Sequence, residues 1–367
     1  MKNLSIMLKP ASSACNLRCS YCFYRDVSES RETQSFGKMS LSLMHRVLDN
    51  VFCDLTAGDQ VTFVFQGGEP TLAGLPFYRE FVDCCKAKSS VGADIHYALQ
   101  TNGILLDEEW CGFLKENDFL TGLSLDGPAA IHNAQRKDVS GKGTFSQVMG
   151  AKSLMDQMGV KYNVLMVLTQ EMARHPREIW NFLLENRIGY VQFIPCLDDL
   201  DTARNPWALS ADRYARFYSE LFSFWFAALQ KGTYVSIKLF DDYIQLLRSG
   251  FCGACGLLGT CSSQIVVEAD GSVYPCDFYV LDQYRAGNLG SQTLREVYDS
   301  PVMRAFPHRE VPQNPQCSSC PYLRICGGGC ARMRNQVFVP GKNGVCGHRV
   351  FLEKALPQMA AIARSLR

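Results

Sequence analysis

The 367-residue chain lacks the features that mark membrane-spanning, exported and nucleic-acid-binding proteins. No apolar run approaches the roughly 18 residues of a membrane-spanning helix. The start, MKNLSIMLKP, lacks the apolar core and small-residue cleavage site of a signal peptide, so we expect a cytoplasmic protein. The net charge is only +1, which indicates neither a nucleic-acid nor a membrane partner. With 47% hydrophobic and 20% charged residues, the chain has the composition of a globular protein.

Cysteine, in contrast, is abundant. Seventeen cysteines in a reducing cytoplasm indicate metal ligation rather than disulfides. Most of them fall into two constellations, one near the start of the chain and one near its end. The cysteines outside these constellations are expected mostly to be buried small apolar residues. They are Cys53, Cys84, Cys85, Cys111, Cys196 and Cys252.

The first constellation is a C-x-x-x-C-x-x-C run made by Cys15, Cys19 and Cys22. Three thiolates in one loop bind three irons of a cubane and are one short of the four that a closed [4Fe–4S] cluster takes. The fourth iron would then be open to a small molecule. A structural zinc site, or three incidental cysteines, is the alternative interpretation at this point.

The pattern along the chain predicts an α/β fold. Short apolar, β-rich segments alternate with helical patterns, which is typical of βα units and a parallel sheet. Six units are fewer than a closed eight-unit barrel needs, so we expect a partial (β/α)6 TIM-like barrel with an open side. The active site of such a barrel lies at the carboxyl ends of its strands. The six predicted strands cover about 3–9, 61–65, 95–100, 120–125, 162–169 and 190–195.

Two domains are predicted. Residues 1–235 would form the partial barrel, and residues 236–367 a bridge helix and a small iron–sulfur domain. Helices are expected at about 210–231 and 239–249. From about residue 250 the sequence contains cysteines, glycines, short strands and little else, so we expect this domain to depend on its metals for stability.

The second constellation holds eight cysteines, which make two complete four-cysteine sets. Full ligation would close both clusters, so electron transfer is their natural role. Zinc is an alternative because C-x-x-C pairs bind it well, and Cys252 competes with Cys255 as the first ligand. The set comprises Cys255, Cys261, Cys276, Cys317, Cys320, Cys326, Cys330 and Cys346.

The first triplet, with aromatic residues at Tyr21 and Phe23, resembles the radical S-adenosylmethionine superfamily over about residues 1–230. The resemblance implies that a cluster and S-adenosylmethionine together yield a 5′-deoxyadenosyl radical, whose chemistry belongs to the cofactor. QGGEP at 66–70 resembles the superfamily's GGEP motif. By position or resemblance, the residues implied in cofactor binding are Tyr21, Gly68, Glu69, Asn102, Ser124, Arg136 and Leu197. Ordinary turn or surface roles are the alternatives for these residues.

The second constellation resembles the SPASM extension, which carries two auxiliary [4Fe–4S] clusters and brings the expected total to three. The family pairing implies one cluster on Cys255, Cys261, Cys276 and Cys330. It implies a second cluster on Cys317, Cys320, Cys326 and Cys346.

Segments from end to end, among them FQGGEPTLAG, LSLDGP and VVEADGSVYPCDFYVLD, resemble anaerobic sulfatase-maturating enzymes. The resemblance implies oxidation of a Cys or Ser in a C/S-x-P-x-R segment of an unfolded sulfatase to Cα-formylglycine. Asp277, after Cys276, resembles the family's catalytic aspartate and would act as general base, with a solvated turn residue as the alternative. The auxiliary clusters would accept the second electron.

The same resemblance implies a low-potential donor such as flavodoxin or ferredoxin, and a monomer is expected. We also expect no additional N-terminal peptide-recognition domain. Two rival functions stay open: a SPASM maturase that crosslinks a ribosomal peptide, and a non-catalytic iron–sulfur electron carrier.

Overall fold

The computed structural model describes residues 3–200 and 205–366. Residues 1, 2 and 201–204 of the first predicted domain, and residue 367 of the second, therefore lie outside the described residues. The chain divides into two compact units. One comprises Met1–Ser124, Arg136–Tyr162 and Ser262–Arg309. The other comprises Leu125–Gln135, Asn163–Cys261 and Glu310–Arg367. The predicted boundary at residue 235 stays a prediction.

The described strands include all six that the sequence predicts and four further short ones. They are β1 (Asn3–Leu8), β2 (Gln60–Phe65), β3 (Asp94–Thr101), β4 (Leu120–Ser124), β5 (Tyr162–Leu168), β6 (Tyr190–Pro195), β7 (Ser236–Ile237), β8 (Ile265–Val267), β9 (Ser272–Tyr274) and β10 (Gly287–Asn288).

The first unit contains a sheet with the strand order β10-β9-β8-β1-β2-β3-β4. The pairs β8–β1, β1–β2, β2–β3 and β3–β4 are parallel, whereas the pairs β8–β9 and β9–β10 are antiparallel. In the second unit β5, β6 and β7 pair in parallel. The parallel pairing of β8 with β1 matches Ile6 with Ile265, so the strand before the cysteine triplet is a neighbour of the strand that lies between Cys261 and Cys276.

The helices at Ala211–Leu229 and Lys238–Ser249 lie where the sequence predicts them, at about 210–231 and 239–249. Ser40 and Asp107 cap α2 and α4, since their side chains accept from backbone N–H groups of the first turn. The helices are α1 (Phe23–Glu29), α2 (Leu41–Phe52), α3 (Leu75–Ala87), α4 (Glu108–Glu116), α5 (Ala129–Gln135), α6 (Phe145–Met158), α7 (Pro176–Glu185), α8 (Ala211–Leu229), α9 (Lys238–Ser249), α10 (Leu294–Tyr298), α11 (Pro301–Ala305), α12 (Leu323–Cys326) and α13 (Gly347–Ser365).

Helix α13 corrects one expectation. The sequence after residue 250 was expected to hold little besides short strands, but α13 is 19 residues long and packs against α8 and α9 in the second unit. It buries Phe351, Leu352 and Met359. Pro357 lies inside this helix and breaks the usual helical signal. The segment after residue 250 therefore contributes more apolar core than its composition indicates.

Candidate functional site

The cysteine triplet lies in the loop between β1 and α1, at the carboxyl end of β1. Cys15, Cys19 and Cys22 are all half-buried. The backbone N–H of Cys22 donates to the Cys19 carbonyl at 3.3 Å, and Leu17 N–H approaches Cys15 Sγ at 3.4 Å. Burial is the main cause that raises the pKa of the Cys15 thiol to about 11. A bound metal ion would therefore be needed to hold this group as the thiolate.

The GGEP turn after β2 contacts the cysteine loop directly. Gly68 N–H donates to the Ser12 carbonyl at 2.9 Å, and Glu69 N–H donates to the Ala14 carbonyl at 2.8 Å. A Cβ atom on Gly68 would lie 2.2 Å from the Ala14 oxygen. Position 68 therefore requires glycine, because the turn and the loop approach each other too closely for a side chain.

The buried Glu69 side chain fixes this turn to the end of β3. One carboxylate oxygen accepts from Thr71 N–H, Thr71 Oγ1 and Thr101 Oγ1, and the other accepts from Asn102 N–H at 2.8 Å. Burial raises the pKa of the Glu69 carboxyl. The contacts make Glu69 a positioning group for the turn, and direct contact with the cofactor stays a prediction.

Two of the predicted cofactor contacts lie against the cysteine loop. Asn102 Nδ2 donates to Asn16 Oδ1 at 2.7 Å and lies 3.9 Å from Cys15 Sγ. Arg136 NH1 lies 3.9 Å from Cys19 Sγ. Its guanidinium lies 5.7 Å from the centroid of the Tyr21 ring. The structure thus brings an amide, a cation and a buried aromatic ring to the thiols.

The other two predicted contacts are placed differently. Ser124 ends β4, and its Oγ accepts from Gln100 Nε2 at 2.9 Å. It belongs to the first unit, as does the cysteine loop. Leu197 follows β6, is half-buried and belongs to the second unit. Their roles in cofactor binding stay predictions.

Asp277 lies in a buried polar network of the first unit. Lys9 Nζ is 2.8 Å from one carboxylate oxygen, and Tyr24 OH donates to the other at 2.7 Å. Gln66 Nε2 lies 3.3 Å from Asp277 Oδ2, the oxygen that also accepts from Tyr24, and 2.6 Å from Tyr24 OH. Burial and the Asp277 charge raise the pKa of Tyr24 well above its usual value, so the phenol keeps its proton.

The contacts of Lys9, Tyr24 and Gln66 with Asp277 were not among the predicted features. A weak signal was present, because Lys9 directly follows β1 and Gln66 directly follows β2. Residues that follow parallel strands meet at one edge of a sheet. The pairing of β8 with β1 and of β9 with β8, which places the segment of Asp277 near β1, cannot be predicted from local sequence.

The three thiols, the close GGEP turn and the cation at Arg136 fit the group that the resemblance implies. Cys15, Cys19 and Cys22 supply the soft sulfur donors that iron–sulfur clusters take. The decisive observation is the close approach at Gly68. The Cβ atom of any other residue at this position would collide with the cysteine loop.

Four of the later cysteines converge on one cavity of the second unit. Cys317, Cys320, Cys326 and Cys346 all line the same cavity. His348 lines the same cavity and is buried, and burial lowers the pKa of its imidazole to about 3. This arrangement fits a four-thiolate cluster.

The remaining set is divided between the units. Cys255, Cys261 and Cys330 belong to the second unit, whereas Cys276 belongs to the first. Burial, followed by the charges of Cys330 and Cys261, raises the pKa of Cys255. Cys252 is 9% exposed, and its sulfur accepts from Ala254 N–H at 3.4 Å. Because the charges of Cys330 and Cys261 act on Cys255, we favour Cys255 over Cys252 as the first ligand of this cluster. The ligand set stays a prediction.

Two family patterns match the chain. That of the Radical SAM superfamily matches residues 10–183, and that of the SPASM iron–sulfur cluster-binding domain matches residues 255–321. The cysteine-type anaerobic sulfatase-maturating enzyme of Clostridium novyi (strain NT) is 39% identical over 371 residues, which is 100% of this chain and 99% of that protein. The chain belongs to the anaerobic sulfatase-maturating enzymes. It is therefore a radical SAM enzyme with a SPASM domain.

Two further relatives agree with this assignment. The serine-type anaerobic sulfatase-maturating enzyme of Klebsiella aerogenes is 32% identical, with 96% of this chain and 85% of that protein covered. A solved structure of native anSMEcpe with bound AdoMet and Cp18Cys peptide is 37% identical, with 100% of both chains covered and a TM-score of 0.90. That protein binds S-adenosylmethionine and a peptide.

Membership in this family confirms several expectations. The fold class, an α/β partial barrel with a C-terminal SPASM domain, is confirmed by the family matches and the solved structure. The class of enzyme, a radical SAM oxidoreductase of the sulfatase-maturating type, is confirmed as well. Among the described residues, no helix is both long and apolar enough to cross a membrane. The expectation that most cysteines outside the constellations are buried is confirmed, since Cys85, Cys111, Cys196 and Cys252 are buried, whereas Cys53 is exposed and Cys84 is half-buried.

Proposed function

We propose that this chain oxidises a cysteine of an unfolded sulfatase to Cα-formylglycine, with Asp277 as the general base. The observation that carries the proposal is the buried Asp277 carboxylate, held by Lys9 and Tyr24 in the unit that also contains the cysteine loop. A cysteine target is favoured over serine because the cysteine-type relative is 39% identical and the serine-type relative 32%.

Three [4Fe–4S] clusters and S-adenosylmethionine are the proposed cofactors. Cys15, Cys19 and Cys22 would hold the first cluster, and the eight later cysteines would hold the other two in the pairing given above. When bound, these groups supply a 5′-deoxyadenosyl radical that takes a hydrogen atom from the substrate Cβ, and an acceptor for the second electron. Arg136, beside Cys19, would pair with the carboxylate of the methionine part.

The chain's own contribution centres on one proton. Asp277 would take the proton of the substrate thiol after hydrogen abstraction. The phenol of Tyr24 keeps its proton, so it donates to the carboxylate and does not compete for the substrate proton. The Lys9 ammonium pairs with the other carboxylate oxygen at 2.8 Å and holds the carboxylate in position. The resulting thioaldehyde would be hydrolysed by water to the aldehyde.

The polypeptide partner would be a sulfatase segment with the pattern C-x-P-x-R, supplied before the sulfatase folds. The peptide bound to anSMEcpe supports a polypeptide substrate. A low-potential donor such as flavodoxin or ferredoxin would supply electrons, and the chain would act as a cytoplasmic monomer.

The test is an anaerobic assay of the reconstituted enzyme with two peptides that differ only in C-x-P-x-R against S-x-P-x-R. Mass spectrometry would follow the conversion of each target residue, and chromatography would follow 5′-deoxyadenosine. We expect rapid conversion of the cysteine peptide. Cleavage of S-adenosylmethionine with no change in either peptide would contradict the proposal, and preferential conversion of the serine peptide would overturn the choice of target.

A further inference from the structure

A second cluster of metal-binding side chains lies on helices α2 and α3 of the first unit. His45 lies on α2, and Glu80 and Cys84 lie one turn apart on α3. His45 Nε2 is 2.9 Å from Glu80 Oε1. Cys84 Sγ is 3.6 Å from His45 Nε2 and 3.6 Å from Glu80 Oε1. One nitrogen, one oxygen and one sulfur thus form a small triangle.

The dimensions of this triangle match those of a zinc site. Zinc binds sulfur at about 2.3 Å, and imidazole nitrogen or carboxylate oxygen at about 2.0 to 2.2 Å, in a tetrahedral arrangement. Tetrahedral angles then place the ligand atoms about 3.3 to 3.6 Å apart. The two distances to Cys84 Sγ already have this length, and the nitrogen and oxygen need to separate by only a few tenths of an ångström.

The charges argue against a reactive cysteine at this position. Burial and the neighbouring Glu80 carboxylate raise the pKa of the Cys84 thiol, whereas a nucleophilic or redox-sensing cysteine needs a lowered pKa. A bound divalent cation would remove the repulsion between the two anionic groups, because it stabilises the thiolate and the carboxylate together. Cys84 therefore lacks the activation that a nucleophilic cysteine needs, and the geometry of the three donor atoms is what indicates a metal site.

We propose that His45, Glu80 and Cys84 bind one Zn²⁺ ion, with water in the fourth position. A thiolate with an imidazole selects zinc over calcium and magnesium. The side chains of His45 and Glu80 are 45% and 42% exposed, so the ion can enter from solvent. Asp49, one turn beyond His45, pairs with Lys88, which leaves the fourth position to water. The ion would join α2 to α3.

The experiment uses the holoenzyme with its iron–sulfur clusters loaded, so that the cluster thiolates are occupied. The protein is dialysed anaerobically against buffered Zn²⁺, and bound zinc and iron are measured by mass spectrometry. Zinc-edge X-ray absorption then reports the ligands in the presence of iron. We expect one zinc per chain without loss of iron, and one sulfur neighbour at about 2.3 Å.

Matched variants locate the site. Each of three variants should weaken zinc binding by at least about tenfold: His45→Gln, Glu80→Gln and Cys84→Ser. Residues that only hydrogen-bond to a metal ligand already cost about tenfold or more in affinity when they are replaced, so loss of a ligand itself should cost at least as much. His96→Gln removes an exposed histidine that pairs with Asp94 at 3.0 Å, and Cys53→Ser removes an exposed cysteine. Both controls should bind zinc as the wild type does.

Three results would overturn the proposal. The first is a wild-type holoenzyme that retains no zinc after dialysis. The second is equal retention by the wild type and the His45→Gln and Cys84→Ser variants. The third is an uptake of zinc matched by an equivalent loss of iron, which would place the zinc at the cluster cysteines.

Discussion

Lys9 Nζ lies 2.8 Å from an Asp277 carboxylate oxygen, and the exposed fractions of the two side chains are only 3% and 12%. Lys9 follows β1, and Asp277 follows β9. The parallel pairing of β8 with β1 joins these two parts of the first unit. The ion pair therefore connects the barrel strand that precedes the cysteine loop to the segment that carries the proposed base.

Replacement of Lys9 tests this connection. Lys9→Met keeps much of the side-chain volume but removes the charge, so a buried carboxylate loses its cation. Breaking a buried pair in this way costs about 3 to 5 kcal/mol. We expect a clear fall in melting temperature and in formylglycine yield, measured by thermal denaturation of the holoenzyme and by peptide mass spectrometry.

The matched control is Arg79→Met. Arg79 pairs with Glu109 at 3.0 Å in the same unit, but both side chains are about half-exposed or more. Exposed pairs contribute about 1 kcal/mol or less, so stability and yield should stay near wild type. Equal effects of the two substitutions would show that the Lys9–Asp277 pair has no special role.

Gly68→Ala tests the contact between the GGEP turn and the cysteine loop. Because the added Cβ would lie 2.2 Å from the Ala14 oxygen, backbone must move at the loop. We expect reduced iron incorporation and weaker binding of S-adenosylmethionine. These are measured by iron analysis after reconstitution and by equilibrium dialysis.

Gly112→Ala provides the control for this substitution. Gly112 lies within α4, and a Cβ there meets nothing within 4 Å. Alanine should be neutral or stabilise the helix by up to about 1 kcal/mol. Full iron incorporation in Gly68→Ala would mean that the turn can move away without disturbing the loop.

The barrel strands could be predicted from sequence because their signals are local. VTFVF at 61–65 is apolar and β-rich, and QGGEP ends it at once. The structure places β2 at Gln60–Phe65. The cysteine loop could be located in the same way, since three closely spaced cysteines follow a predicted strand.

Other features depend on distant parts of the chain. Tyr24 and Gln66 contact Asp277 only because the sheet brings their segments together. No local pattern indicates that Cys84 of α3 lies beside His45 of α2. Each of these relationships depends on strand or helix pairing, which local periodicity does not report.

Iron content tests the assignment of the cysteine sets. Three cubanes predict about twelve irons per chain after anaerobic reconstitution. Replacing Cys15, Cys19 and Cys22 together by alanine should remove about a third of this iron and all cleavage of S-adenosylmethionine. Continued formation of 5′-deoxyadenosine by the triple variant would show that the loop is not the catalytic cluster site.

The most direct test of the central claim is the product ratio of Asp277→Asn. Asparagine keeps the size and a hydrogen-bonding tip but removes the basic oxygen pair. Loss of a proton-transfer group typically costs a factor of about 10² to 10⁴. Formylglycine should therefore fall at least about a hundredfold, while 5′-deoxyadenosine still forms and iron content stays at the wild-type level because Cys276 is untouched. A wild-type yield of formylglycine, or a joint loss of iron and both products, would contradict the role of Asp277 as the base.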